Sequence, residues 1–272
     1  MKAESNPQKI NIATVFFIGV LAWAISNTGH EILGHGLASV LLGYESLGVS
    51  TSFFLFDDSN VLFWDDKLII VGGTLFNIFL AIGAYYLLTK RNQASIHTIY
   101  FLWVLLNFNL FYSGSYVMGW FFGPTLDSAL FMVGFDSIET LKVVLTLVGF
   151  SIVLLALHIC SNTLHFVVDM HADNPGRKIS ILTFYPYLAA IVLKVSAGLM
   201  NPSDELMLIV LGSFGATGFF LIWMNLVRFW PYRQVVNLNA PDISLNYKWI
   251  VSGIVAFLLF VFILGAGIGE AY

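Results

Sequence analysis

The stretch INIATVFFIGVLAWAISNTGHEILGHGLASVLLG, residues 10–43, decides how this chain folds. It is long enough to cross the roughly 30 Å hydrocarbon core of a bilayer as one helix, and no charge lies between Ile10 and Ile25. It nevertheless contains His30-Glu31-Ile32-Leu33-Gly34-His35. Ionisable groups at membrane depth are costly and mark functional sites by default. The stretch therefore predicts a membrane helix with a functional site inside it.

The composition places the whole chain in the membrane class. Hydrophobic residues make up 58% and charged residues 10% of it, whereas a typical soluble domain is about 25% charged. Its 25 Phe, 7 Trp and 11 Tyr suit a lipid-facing surface with aromatic belts. The net charge of −4 lies in short loops without a basic patch, which argues against nucleic acid as a partner. The expected partners are the lipid bilayer and a membrane protein or peptide, and the oligomeric state stays open.

These features predict an all-α polytopic membrane protein, a single membrane domain over residues 1–272. About seven segments are long and apolar enough to be transmembrane helices. They are Ile10–Gly43, Leu68–Thr89, Ile99–Trp120, Thr140–His158, Ile179–Met200, Leu206–Val227 and Trp249–Ile268.

The distribution of Lys and Arg predicts the orientation of these helices. Nine cations fall on the side of the N-terminus, namely Lys2, Lys9, Lys90, Arg91, Arg177, Lys178, Arg228, Arg233 and Lys248. Because cytoplasmic loops are enriched in Lys and Arg, the N-terminus is expected in the cytoplasm and the C-terminus outside. Lys194, inside the fifth segment, is expected to reach the membrane interface with its long side chain.

A short β-hairpin at the membrane surface is predicted between the first two spans. Residues Val49–Phe56 and Val61–Trp64 are typical of strands, and Asp57–Asn60 of the turn between them. The exposed edge of such a hairpin could bind an extended peptide. An interfacial loop anchored by Phe and Trp explains the segment equally well.

The His motif has the chemistry of a zinc site. Neutral imidazoles suit Zn²⁺, and the adjacent Glu31 can act as general base on a water molecule. The two histidines lie five residues apart, which on a regular α-helix rotates them by roughly 140° relative to each other. A π-type bulge would return them to one face, and Gly34 makes such a distortion cheaper. Two polar residues satisfied by neighbouring helices are the alternative.

Two further polar residues stand in apolar surroundings. Asn77 ends the segment Gly72-Gly73-Thr74-Leu75-Phe76-Asn77, where an amide commonly joins helices. Asp127 follows Gly123-Pro124 after the third span, where it could cap the next helix. His30 is expected about 30 Å along its helix, and all three regions should lie toward the outer leaflet.

Together these residues resemble the site-2 protease group of intramembrane zinc metallopeptidases, the M50 peptidases. The resemblance implies that His30, His35 and Asp127 bind Zn²⁺, that Glu31 activates water, and that Asn77 steadies the substrate or the oxyanion. It covers a protease-like core of about residues 10–130 and leaves the helices of residues 140–270 unassigned. The sequence departs from the family by the extra residue in the His motif and by Ser128 in place of Gly. Dipeptidyl peptidase III, a soluble zinc peptidase, has the same lengthened motif.

The sequence thus predicts a zinc-dependent intramembrane endopeptidase, and two other functions stay open. One is a non-catalytic membrane protein of the same fold, which would bind no stoichiometric zinc. The other is a lipid-acting, seven-helix metal hydrolase that uses His158, His165 and Asp169, with His171 nearby.

Overall fold

Seven helices in the described part of the chain are long and apolar enough to cross a membrane, so this is an all-α, integral membrane protein. The computed structural model describes residues 9–91, 94–121, 127–168, 174–202, 206–231 and 241–269. The spans are Ile12–Leu42, Phe63–Thr89, Ile96–Val117, Ile138–Phe166, Pro175–Gly198, Leu206–Phe229 and Tyr247–Leu264.

The first span is one continuous helix built from three segments. It comprises α1 (Ile12–Thr28), a π-helical segment (Gly29–Gly36) and α2 (Leu37–Leu42). Asn11 caps its start by accepting a hydrogen bond from the Thr14 amide. Gly43 ends it in the left-handed region at φ 89°, a conformation that glycine adopts without steric cost.

The other helices are α3 (Phe63–Thr89), α4 (Ile96–Val117), α5 (Asp127–Met132), α6 (Ile138–Thr163), α7 (Pro175–Gly198), α8 (Leu206–Leu221) and α9 (Tyr247–Leu259). Short 3₁₀ segments extend α6 over Leu164–Phe166 and α8 over Ile222–Phe229, and a π-helical turn extends α9 over Phe260–Leu264. The sequence places the start of α3 at Leu68, five residues too late, because a charged turn was excluded from the span. Asp65 and Asp66 lie in that first turn, where the helix dipole favours carboxylates.

The first and third spans form the centre of the bundle. Their most apolar stretches are 61% and 72% buried, against 17% for the last span. Trp23 of α1 and Trp103 and Phe108 of α4 are fully buried, and Trp23 meets Phe108 edge to face at 5.6 Å. Around this pair, α1 also packs against α7 and α9, and α4 against α3 and α6. Helices of residues 140–270 therefore contact the first span, the continuous helix that also contains the His motif.

The predicted hairpin is present between the first two spans, but the boundaries of its strands differ from the prediction. The strands are β1 (Ser46–Val49) and β2 (Phe54–Phe56), and a third strand, β3 (Ile268–Gly269), pairs with the other edge of β1. All neighbours are antiparallel. The prediction of one strand over Val49–Phe56 is wrong because this segment contains the turn.

Ser50 makes that turn. Its amide donates to the Phe53 carbonyl at 2.8 Å, and its Oγ accepts from the amides of Ser52 and Phe53 at 3.1 and 3.2 Å. Such local hydroxyl–amide bonds offer the backbone an alternative to strand pairing. The predicted second strand, Val61–Trp64, is also wrong, since Phe63 and Trp64 begin α3.

The two ends of the bundle carry opposite charge. At one end, Ile10 bridges to Ile243 and His97 bonds to the Ser244 carbonyl at 3.0 Å, so the starts of α1, α4 and α9 meet there. This basic end holds Lys9, Lys90, Arg91, Arg177, Lys178, Arg228 and Lys248. The hairpin end, where the sheet lies, holds the acidic residues Glu45, Asp57, Asp58, Asp65, Asp66, Asp136 and Glu139.

Candidate metal centre

The π-helical segment brings the two histidines together. Its hydrogen bonds reach five residues back, as from the Leu37 amide to the Ile32 carbonyl, so residues five apart lie one above the other. His30 and His35 are both buried, and their Nε2 atoms are 3.2 Å apart. The prediction of a π-type distortion is confirmed.

Asp127 completes the group from a distant part of the chain. It is the first residue of α5, and its Oδ2 lies 3.3 Å from His30 Nε2 and 3.2 Å from His35 Nε2. The carboxylate thus faces the imidazoles rather than bulk water. The three residues that the sequence singles out as metal ligands lie together, and within the described residues they are the one group of three or more His, Cys, Asp or Glu with this convergence.

The three ligand atoms form a triangle of the size that a metal ion requires. A tetrahedral ion with bonds of about 2.0–2.1 Å holds its ligand atoms about 3.3–3.4 Å apart. Oδ2 of Asp127 is buried without a hydrogen-bond partner despite the two nearby nitrogens. Buried acceptors are rarely left unpaired, so the residues present fit a bound cation.

The hydrogen bonding of His35 also fits a bound cation. Its Nδ1–H donates to the Ile69 carbonyl at 2.8 Å, so in the neutral ring Nε2 carries a lone pair. That lone pair faces His30 Nε2 and the Asp127 carboxylate. Electron-rich atoms this close repel one another unless a proton or a metal cation lies among them, so the arrangement is compatible with a bound cation. The Ile69 carbonyl also fixes the orientation of the ring, as the outer partners of metal-binding histidines commonly do.

Asn77 contacts the other histidine. Its Nδ2 lies 3.1 Å from His30 Nδ1, while its Oδ1 is buried without a partner. If the amide turns over, Oδ1 accepts from Nδ1–H and His30 Nε2 is left free for a metal. Asn77 is 0% exposed, so this geometry favours a residue that positions His30 over the substrate contact that the family resemblance implies.

Glycines create the space in which the ligands meet. A Cβ on Gly73 would lie 2.5 Å from His35 Nε2 and 2.6 Å from His30 Nε2. A Cβ on Gly34 would overlap the Gly73 backbone. Gly34 therefore allows the π-helical segment to pack closely against α3. This role adds to the one predicted from the sequence, which was to make the π-type distortion less costly.

Glu31 is buried beside the histidines, with 4% of its surface exposed. It lies close to His35, and also to Tyr112 of α4 and Lys194 of α7. Tyr112 and Tyr116 pack their ring edges against His30 at 5.4 and 5.0 Å. Sequence reasoning missed both tyrosines, although their spacing of four residues places them on one helix face.

The prediction that Lys194 reaches the membrane interface is wrong. Its side chain is 5% exposed, and its Nζ donates to Asn27 Oδ1 at 3.3 Å and to the Thr51 carbonyl. A buried ammonium needs such acceptors. Lys194 thus joins α7 to α1 one helical turn before Glu31, and to the turn of the hairpin.

A cavity of about 80 Å³ opens beside Asp127, one of the three candidate ligands, between α3, α4, α5 and α6. Its lining includes Thr74, Tyr116, Asp127, Ser128 and Phe131. Gly73 is about 15 Å along α3 from Phe63, and Asn77 is about 18 Å from Thr89. The site therefore lies deeper in the bundle than the sequence predicts, near the middle of α3.

The second set of histidines does not form a comparable group in the described residues. His158 Nε2 lies 2.9 Å from Asn162 Nδ2, and His165 Nδ1 lies 2.7 Å from the Asn162 carbonyl. Asp169 and His171, which belong to that alternative, lie outside the described residues.

No family model, curated protein or solved structure matches this chain.

Proposed function

We propose that this chain is a zinc-dependent intramembrane endopeptidase, as its resemblance to the site-2 proteases implies. The convergence of His30, His35 and Asp127 supports this proposal most directly. Two imidazoles and a carboxylate are a common ligand set for catalytic zinc, with one position left for water or substrate. A bound Zn²⁺ supplies a Lewis acid and lowers the pKa of water.

Residues of the chain would transfer the proton, orient the ligands and keep the site open. Glu31, which is buried and adjacent to His30 in the chain, would take a proton from water and later return it to the leaving amine. Ile69 and Asn77 hold the two imidazoles by their Nδ1 atoms. Gly73 keeps the space between the ligands open, and a cavity reaches Asp127 from the side of α6.

The sheet favours a peptide as the substrate. In the strand order β2-β1-β3, β2 is an edge of the sheet. Its Phe54 reaches the π-helical segment, since a Cβ on Gly36 would lie 3.0 Å from the Phe54 ring. An extended peptide that pairs with β2 would gain backbone hydrogen bonds close to the ligands.

Zinc content and proteolysis in matched variants test the proposal together. The purified full chain should carry about one Zn²⁺, as expected for a single site with three protein ligands. His35→Ala should lose it, and His158→Ala, which removes an exposed histidine elsewhere, should keep it. Glu31→Gln should keep the metal and lose cleavage of a library of membrane-spanning peptides, measured by mass spectrometry of new termini, because a neutral amide cannot accept the proton.

Two results would contradict the proposal. Absence of stoichiometric zinc from the wild-type chain would leave the non-catalytic function in its place. Cleavage by Glu31→Gln at the wild-type rate would remove Glu31 from the mechanism and the peptidase assignment with it.

A further inference from the structure

A second cavity lies at the basic end of the bundle, far from the candidate metal centre. It has a volume of about 440 Å³ and runs between α7 and the 3₁₀ segment Ile222–Phe229. Arg177 and Arg228 line it, one from each wall. Nothing in the proposed peptidase reaction uses this groove.

Both arginines of the groove lie at its outer end, together with Ser180. Arg177 lies in the first turn of α7, and Arg228 lies near the end of the 3₁₀ segment and donates to Ser180 Oγ at 3.0 Å. Among the described residues, no carboxylate lines the groove. The two guanidinium groups therefore have no acidic lining residue there to neutralise them, and the site suits an anion.

The deeper part of the groove is largely apolar, although Asn225 and Tyr187 also line it and the Tyr187 hydroxyl donates to the Gly218 carbonyl at 3.3 Å. Ile181 and Phe184 follow Arg177 along one face of α7, and Ile222 lies opposite them. From Arg177 to Tyr187, which also lines the groove, α7 rises about 15 Å. This is half of the roughly 30 Å hydrocarbon core of a bilayer, the depth of one leaflet.

We propose that this groove binds an anionic phospholipid. The phosphate would lie between Arg177 and Arg228, since guanidinium groups pair with phosphate through two parallel hydrogen bonds. An acyl chain would lie along Ile181, Phe184 and Ile222. A soluble anion uses only the outer end, whereas a phospholipid matches both the charge and the apolar length. Basic pockets between transmembrane helices bind anionic headgroups in this way.

Native mass spectrometry of the detergent-solubilised full chain tests this site. Titration with dioleoyl phosphatidylglycerol and with dioleoyl phosphatidylcholine gives the two affinities. The wild-type chain should prefer phosphatidylglycerol by about 10- to 30-fold if each arginine contributes as a cation near a membrane surface does. The double variant Arg177→Gln/Arg228→Gln should bind both lipids equally.

A matched variant separates the groove from the general charge of this end. Lys9→Gln/Lys248→Gln removes two exposed cations of the basic end outside the groove and should keep the preference. Arg228→Lys, which keeps the charge but not the planar fork, should lose part of it and serves if the double variant is not monodisperse in size-exclusion chromatography.

Three outcomes would overturn the inference. They are an unchanged preference in the double variant, an equal loss in the lysine variant, and full displacement of phosphatidylglycerol by millimolar inorganic phosphate. The last outcome would show an anion site without a lipid. None of these measurements depends on zinc or proteolysis, so they test the lipid site independently of the proposed function.

Discussion

Gly73 is the residue on which the geometry of the candidate metal centre depends most closely. Gly73→Ala would place a methyl group within 2.6 Å of the Nε2 atoms of both histidines, where a bound ion would lie. We expect this variant to lose stoichiometric zinc by elemental analysis. Gly83→Ala is the matched control, since it lies on the same helix and a Cβ there meets nothing within 4 Å. Normal zinc content in Gly73→Ala would show that the ion does not bind between the histidines.

Asn77 offers a test of which group orients His30. Asn77→Ala should weaken zinc affinity by about 10- to 100-fold, as loss of an outer hydrogen-bond partner commonly does. Asn77→Asp should retain most of the affinity, because a carboxylate can accept from His30 Nδ1–H. Competition with a chelator of known affinity measures both. If the two variants lose affinity equally, Asn77 does not act by accepting that hydrogen bond.

At the residue scale, the sequence reveals which side chains have the chemistry of metal ligands. It does not reveal which other residues pack around them. His30, His35 and Asp127 are polar residues in apolar surroundings, so each could be singled out without a structure. Gly73 acts through the packing of α3 against the π-helical segment, and Tyr116 through its ring contact with His30; no local pattern encodes either contact. Lys194 was misplaced because its acceptors, Asn27 and the Thr51 carbonyl, lie far away in the sequence.

At the scale of elements, the π-helical segment can be tested by removing one residue. Deletion of Leu33, whose side chain is 49% exposed, leaves His-Glu-Ile-Gly-His. Histidines four residues apart share one face of a regular α-helix, so this variant should still bind about one Zn²⁺ per chain. Insertion of Ala after Leu33 separates the histidines further and should abolish binding. Loss of zinc in the deletion variant alone would mean that the wider π turn itself is required.

Helices were predictable as elements because twenty apolar residues in a row have few alternatives in a bilayer. The hairpin was predictable in kind, from its β-branched and aromatic residues, but not in register. The hydroxyl of Ser50 stabilises the actual turn. The composition of Asp57–Asn60 is also typical of a turn, so the prediction placed the turn there. The third strand, two residues long, carries no pattern that could be recognised.

For the molecule as a whole, the charge difference between its ends predicts its orientation in the membrane. We expect the basic end in the cytoplasm and the hairpin end outside. Ser59→Cys and Gly176→Cys, both exposed and at opposite ends, test this in a Cys160→Ala background. A membrane-impermeant maleimide added to intact cells should label the first variant and not the second. The reverse labelling pattern would place the hairpin end of the bundle in the cytoplasm.

The pairing of β1 with β3 has a consequence for the timing of biosynthesis. Residues 46–49 are synthesised early and residues 268–269 only after all seven spanning helices. While a ribosome is still translating the later helices, β1 has β2 on one side and an open edge on the other. All five residues of the proposed reaction centre and the β1–β2 hairpin exist by then, but the third strand does not. A nascent chain would therefore form the proposed peptide-binding edge, β2, early and complete the three-stranded sheet only at the end of its synthesis.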